Sequence, residues 1–109
     1  MAFTPYHNIT GSTGVDISLI QPGEDIKVKS ILITNTHATA DATVSLFIQD
    51  QPSAAAAKTY RILSTIAIPS DTSLLLDNSS MLKFDNSDNG YGLFITVGSS
   101  DTIDVMINQ

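Results

Sequence analysis

Alternation with a period of two is the feature that most limits what this chain can become. Between Thr43 and Gln49, Val44, Leu46 and Ile48 alternate with Thr43, Ser45 and Gln49; Tyr91, Leu93, Ile95 and Val97 repeat the pattern, as do Ile103, Val105 and Ile107. Successive side chains of a strand point to opposite faces, so each run presents one apolar face and one polar face. Ser30 to Asn35 adds a denser run, with Ile31, Leu32 and Ile33 between Ser and Thr. The polar stretch Thr36-His37-Ala38-Thr39-Ala40-Asp41 has no apolar anchor and is expected to connect neighbouring antiparallel strands.

The rest of the chain fits the same class. Val15, Ile17 and Leu19 alternate with Asp16 and Ser18 until Gln21-Pro22-Gly23 stops them, Pro-Gly being a strong turn signal. Asp50 to Lys58 (DQPSAAAAK) has helical preference through its alanines, but is too short to hold a helix alone and is expected to be a rim connection. Thr59 to Ile68 resumes strand character until Pro69, and Ser73 to Leu76 and Met81 to Phe84 are short strand candidates. Gly98-Ser99-Ser100-Asp101 predicts a closing hairpin between the last two alternating runs. About seven or eight short strands without a substantial helix must close their apolar faces on one another, which predicts an all-β antiparallel sandwich, jelly-roll or immunoglobulin-like. Its predicted core holds Ile31, Ile33, Val44, Leu46, Ile48, Ile62, Leu93, Ile95, Val105 and Ile107.

Residues 15–109 form the predicted domain, and Met1 to Gly14 is expected to be an irregular or partly extended arm, with Pro5, Gly11 and Gly14 and only scattered apolar residues. Such an arm either docks on a neighbour or frays or covers the domain's own edge. In the first case Phe3, Pro5, Tyr6, His7 and Ile9 are the candidate interface residues.

A single domain of 109 residues buries only roughly two thirds of its unfolded surface, so a partner can add to its stability. No apolar run approaches the roughly 20 residues of a membrane-spanning helix, and the N-terminal sequence lacks a basic start followed by an apolar block; a soluble protein made in a cytoplasm, with no membrane partner, is expected. Eleven acids against five bases give a net charge of −6. The bases Lys27, Lys29, Lys58, Arg61 and Lys83 are scattered along the sequence, which argues against nucleic-acid binding. Only 15% of residues are charged while Ser, Thr, Asn and Gln are plentiful, a neutral polar surface that suits packing among many copies and equally the plain exterior of an acidic β-protein.

Signals for chemistry are weak. Asp85-Asn86-Ser87-Asp88-Asn89-Gly90 begins like a calcium loop, but position twelve is Thr96 where a bidentate Glu is required, so the run reads as a turn, with a weak surface cation site as the lesser alternative. His7 and His37 have no companion at a metal-ligand spacing, and there is no cysteine. No Ser lies in a Gly-x-Ser-x-Gly turn and no Gly-rich phosphate loop is present, so neither an enzyme, nor a metal, nor a cofactor is expected. Tyr6, Tyr60 and Tyr91 could stack on sugars, although scattered tyrosines more often border a core.

The order of these features, an extended arm, then PGEDIKVKSILITNTHATADATVSLFI, a Tyr-centred strand and IAIPSDTSLLLDNSSMLKFDNSDNGYGLFITVGSSDTIDVMI, resembles small structural proteins of tailed bacteriophage virions, especially those of marine and cyanobacterial phages. The resemblance spans roughly residues 22–107 and consists of strand-and-turn patterns, with no catalytic residues attached. It implies a β-sandwich virion protein on the capsid surface, made in the host cytoplasm. The implied role is that of a decoration (cement) subunit, a homo-oligomer with a trimer favoured, bound to the major capsid protein. The alternative it implies is a tail, neck or fibre component acting as a connector or glycan-recognition module through Asp50 to Lys58 or Asp85 to Gly90.

Overall fold

The computed structural model describes residues 4–12, 14–50, 58–87 and 90–109. Eight strands follow one another: β1 (Tyr6–Thr10), β2 (Asp16–Ile20), β3 (Ser30–Asn35), β4 (Ala42–Asp50), β5 (Thr59–Ile68), β6 (Ser73–Leu76), β7 (Tyr91–Val97) and β8 (Thr102–Asn108). They form two four-stranded antiparallel sheets, ordered β1-β8-β3-β6 and β2-β7-β4-β5. Only β4 and β5 are consecutive in one sheet; every other connection crosses to the opposite sheet. That order is the eight-stranded double Greek key of a jelly roll, one of the two sandwich types the sequence left open.

The inner faces come from the alternation read in the sequence. Ile31, Ile33, Val105 and Ile107 of the first sheet meet Val44, Leu46, Leu93 and Ile95 of the second, all buried. Ile48 and Ile62 pack against this core but are only partly buried. Ile62 lies on β5, an edge strand whose pairing with β4 is interrupted by register shifts on either side of Leu46. Next to the first shift Thr65 adopts a left-handed backbone (φ 52°), and its amide donates to the hydroxyl of Ser45 at 2.8 Å. A bulged edge of this kind is a poor template for a further strand.

The arm takes one of its two alternatives, and four expectations change. The segment Tyr6–Thr10 is a strand paired with β8, so part of the arm covers the domain's own edge. Thr36–Asp41 and Gly98–Asp101 do not join neighbours in one sheet: β3 and β4 lie in opposite sheets, and so do β7 and β8, so no closing hairpin forms. Alternation states which side of a strand faces the core and leaves its partner unstated. Met81–Phe84 is not a strand, because the amides of Met81 and Leu82 turn back onto the carbonyl of Asn78, at 3.0 and 3.2 Å, instead of joining a ladder. Leu82 is nevertheless buried, closing the core at that end. Val15 precedes its strand and is exposed.

Two buried asparagines hold the ends of the sandwich. At one end the fully buried Asn35 donates from Nδ2 to the carbonyls of Ala40 (2.8 Å) and Ile68 (2.9 Å), and its Oδ1 accepts from the His37 amide at 2.9 Å. At the other, Asn86 donates to the carbonyls of Gln21 (2.9 Å) and Tyr91 (2.8 Å), while its Oδ1 accepts from the Ile26 amide at 2.9 Å. The Asn86 carbonyl also accepts from the amides of Gly23 and Asp25. Each side chain ties backbone groups of a connection to the end of a neighbouring strand.

Leu46→Ala or Ile95→Ala is expected to lower stability by about 2–5 kcal/mol in denaturant unfolding, and a loss well below that would place these residues on the wrong face. Asn86→Ala, which orphans one amide and two carbonyls, should cost about 2–4 kcal/mol by the same measurement; a near-neutral result would mean that water replaces the asparagine without loss.

Candidate functional site

The two outer faces of the sandwich differ in what they leave open. On the β2-β7-β4-β5 sheet the outward side chains Phe47 and Phe94 are neighbours across β4 and β7, stacked with ring centroids 5.9 Å apart. The guanidinium of Arg61 lies 5.8 Å from the Phe47 centroid. Both rings are buried although they lie outside the inter-sheet core cluster. Gly92 makes room here, since a side chain on it would meet the carbonyl oxygen of Ile20, the Pro22 ring and the Phe94 ring. This face has covered its own aromatic surface.

The β1-β8-β3-β6 sheet has not. Register places Tyr6 opposite Met106, Met106 opposite Leu32, and Leu32 opposite Leu75, so one apolar side chain from each strand forms a continuous row across the sheet. Tyr6 is 69% exposed, Leu75 55% and Met106 44%, with Leu32 half-buried between its neighbours. At a strand spacing of about 4.8 Å the row is roughly 15 Å long. The next row is polar and paired within itself: Asn8 donates to Asp104 at 2.7 Å, and the Thr34 and Ser73 hydroxyls lie 2.8 Å apart. Beyond it the Thr36 hydroxyl donates to that of Thr102 at 3.0 Å. The polar groups of these two rows thus satisfy one another, while the apolar row stays exposed.

Among the arm residues expected at an interface, Tyr6 begins this row. His7 points to the inner side, half-buried, with Nε2 at 3.0 Å from the Thr4 carbonyl. Ile9 is buried in the core against its neighbour Ile103, and is unavailable to a partner in the folded domain. Pro5 is half-buried, its carbonyl accepting from the Ile107 amide at 2.8 Å, and Phe3 lies outside the described residues. Leu32, Leu75 and Met106 were not singled out in the sequence as contact residues. Each is an ordinary apolar strand residue, and only the register shows that they align.

A second feature lies at the end of the sandwich near Asp50 and Asp85. Tyr60 and Tyr91 meet edge to face with centroids 5.8 Å apart, whereas Tyr6 is on a different sheet. Burial pushes the Tyr91 phenol above its usual range, and the proximity of Tyr60 and Asp50 adds to the shift. Asp85 is held below the usual carboxylate range by hydrogen bonds from the Ser87 side chain and amide, the latter at 3.0 Å. The described ends of the run from Asp85 to Gly90 are drawn together, the Gly90 amide donating to the Ser87 carbonyl at 2.9 Å and the Tyr91 amide to the Asp85 carbonyl at 2.6 Å; Asp88 and Asn89 lie outside the described residues. Among the described residues no group of three or more His, Asp or Glu side chains is arranged to hold a metal. His37 serves its own turn, with Nδ1 accepting from the amides of Thr39 and Ala40.

Comparison with protein-family models, with curated proteins and with solved structures finds no match to this chain.

Because the folded pKa of Asp85 is depressed, its contribution to stability is present above the unfolded carboxylate pKa and is lost as pH falls through the folded value. Ser87→Ala should move the Asp85 titration upward, read by carboxyl-carbon NMR; an unchanged midpoint would show that the serine hydroxyl has no part in holding it down.

Proposed function

We propose that this chain is a structural subunit of a bacteriophage virion, a decoration protein that docks on the major capsid protein lattice and stabilises the head. The observation that carries the reading is the exposed row Tyr6-Met106-Leu32-Leu75 beside two self-paired polar rows of the same sheet face. A contact of this size is weak for one copy and becomes effective when many copies, or the linked copies of a trimer, bind a repeating lattice. The resemblance to tailed-phage virion proteins supports the same reading, as does a jelly roll, which occurs among viral capsid domains. Lectins and cupins share that architecture, so the assignment rests on the surface more than on the fold. The site of action is the outer capsid surface, reached after synthesis in the host cytoplasm.

The Tyr60–Tyr91 pair favours a second reading, a tail or fibre module that stacks a sugar on the exposed Tyr60 beside the Asp50 carboxylate. Decoration ranks first because the apolar row spans all four strands of one sheet, while the tyrosine pair is a single small platform.

Co-sedimentation with capsids lacking this protein tests the proposal. Saturable binding in a fixed ratio to the major capsid protein is expected. Substituting Tyr6, Leu75 and Met106 by Ser should weaken that binding by about 1 kcal/mol, or roughly fivefold, per side chain without unfolding the domain. Absence of capsid binding, with particle density only at the tail or neck, overturns decoration and moves the weight to the second reading.

A further inference from the structure

The fold sorts the charges that the sequence scatters. Four connections, 11–15, 36–41, 69–72 and 98–101, meet at one end of the sandwich, tied by the bonds of Asn35, by Asp71 N to the His37 carbonyl (3.1 Å) and by Gly11 N to the Asp101 carbonyl (2.8 Å). These connections and the strand starts beside them carry Asp16, Asp41, Asp71, Asp101 and Asp104 and no Lys or Arg, so five of the six net negative charges belong to this half. Asp41 and Asp71 are exposed there, whereas Asp101 spends one oxygen on the Thr43 amide at 3.0 Å. All five bases lie towards the opposite end.

Three of those bases surround one hollow. A groove of about 760 Å³ runs between 25–29 and 79–84, with exposed Lys27, Lys29 and Lys83 along it and Val28, Leu82 and Phe84 as its apolar lining; Asp25 is the acidic side chain among the groove residues. Both flanking segments lack ladder partners in the two sheets, so the groove is bordered by irregular backbone rather than strand. A cationic rim over an apolar floor suits a partner segment that is acidic and carries small or apolar side chains. The exposed connections at the far end of this chain have that composition: Thr36-His37-Ala38-Thr39-Ala40-Asp41 and Pro69-Ser70-Asp71.

We propose that the lysine-rimmed groove receives the acidic end of a second copy of this chain, head to tail. The two surfaces are different, so the contact is heterologous: it closes into a ring if the rotation between copies permits, and otherwise propagates. Each exposed ion pair contributes little, so the contact needs several pairs acting together and weakens as salt screens them. This association supplies a route to the oligomer within the proposed virion role, through a surface separate from the sheet-face row. It stands or falls independently of capsid binding.

Sedimentation velocity on the full chain tests it. Concentration-dependent species larger than the monomer are expected at low ionic strength, dissociating at several hundred millimolar salt. The variant K27E/K29E/K83E and the variant D41K/D71K should each associate at least about tenfold more weakly than the unaltered chain. An equimolar mixture of the two should regain association, since each then offers the other a complementary end. All the altered side chains are exposed, and unchanged circular dichroism and thermal melting would show that the fold is kept. A monomer at every concentration and salt, association indifferent to salt, or two variants that remain dissociated when mixed would each overturn the proposal. So would association that survives both charge variants but is lost on substituting Tyr6, Leu75 and Met106 by Ser, because the copies would then meet through the sheet face.

Discussion

Strands in this domain pass from sheet to sheet at every connection except β4 to β5, and the demand this places on the backbone shapes the rest of the molecule. A chain that crosses the ends of a sandwich leaves amides and carbonyls without ladder partners in places where water is partly excluded. Asn35 and Asn86 resolve this at opposite ends. An asparagine side chain carries both an acceptor and two donors, so one residue can join an amide to two carbonyls that lie far apart in sequence. Asn86 does so across the separation between Gln21 and Tyr91, fixing the long β2–β3 and β6–β7 connections against each other.

Fixing those connections also builds the groove and the acidic end on which the proposed self-association rests. The β2–β3 and β6–β7 segments held near Asn86 form the two sides of the lysine groove, so its shape follows from the same hydrogen bonds that stabilise the end of the sandwich. At the Asn35 end the connections are short and their aspartates are brought together. The charge asymmetry is thus a consequence of topology: a sequence in which bases follow one another at irregular intervals becomes a domain with one strongly acidic end.

Much of the core was legible before the structure. Val44, Leu46, Leu93, Ile95, Val105 and Ile107 follow from alternation alone, because period two states a face without needing to know the partner, and Ile31 and Ile33 from the apolar run between Ser30 and Thr34. Pairing was not legible, and it misled where adjacency suggested a hairpin: β7 and β8 have the pattern of one, yet β7 pairs with β2 and β4, and β8 with β1 and β3. Ile9 read as an arm residue because it stands alone among polar neighbours, and only the ladder with β8 turns it into the core. Asn86 was hidden for a related reason. In a run of Asp, Asn, Ser and Gly, a buried asparagine and a solvated one have the same letter, and its Gln21 and Ile26 partners lie more than half the chain away.

The apolar row illustrates why the proposed docking surface is less legible than the core. Tyr6, Leu32, Leu75 and Met106 come from four strands distributed over nearly the whole chain, and each occupies the outward position of its own strand for no reason visible locally. On the opposite sheet the comparable outward aromatics, Phe47 and Phe94, stack and are sheltered within the domain. The same solution is absent from the first sheet, where the polar groups pair along one row and leave the next bare. Only the buried parts of these four side chains stabilise an isolated copy, whereas against a complementary surface burial of their exposed parts is also favourable. The asymmetry between the two faces is the observation on which the proposed docking surface of the β1-β8-β3-β6 side rests.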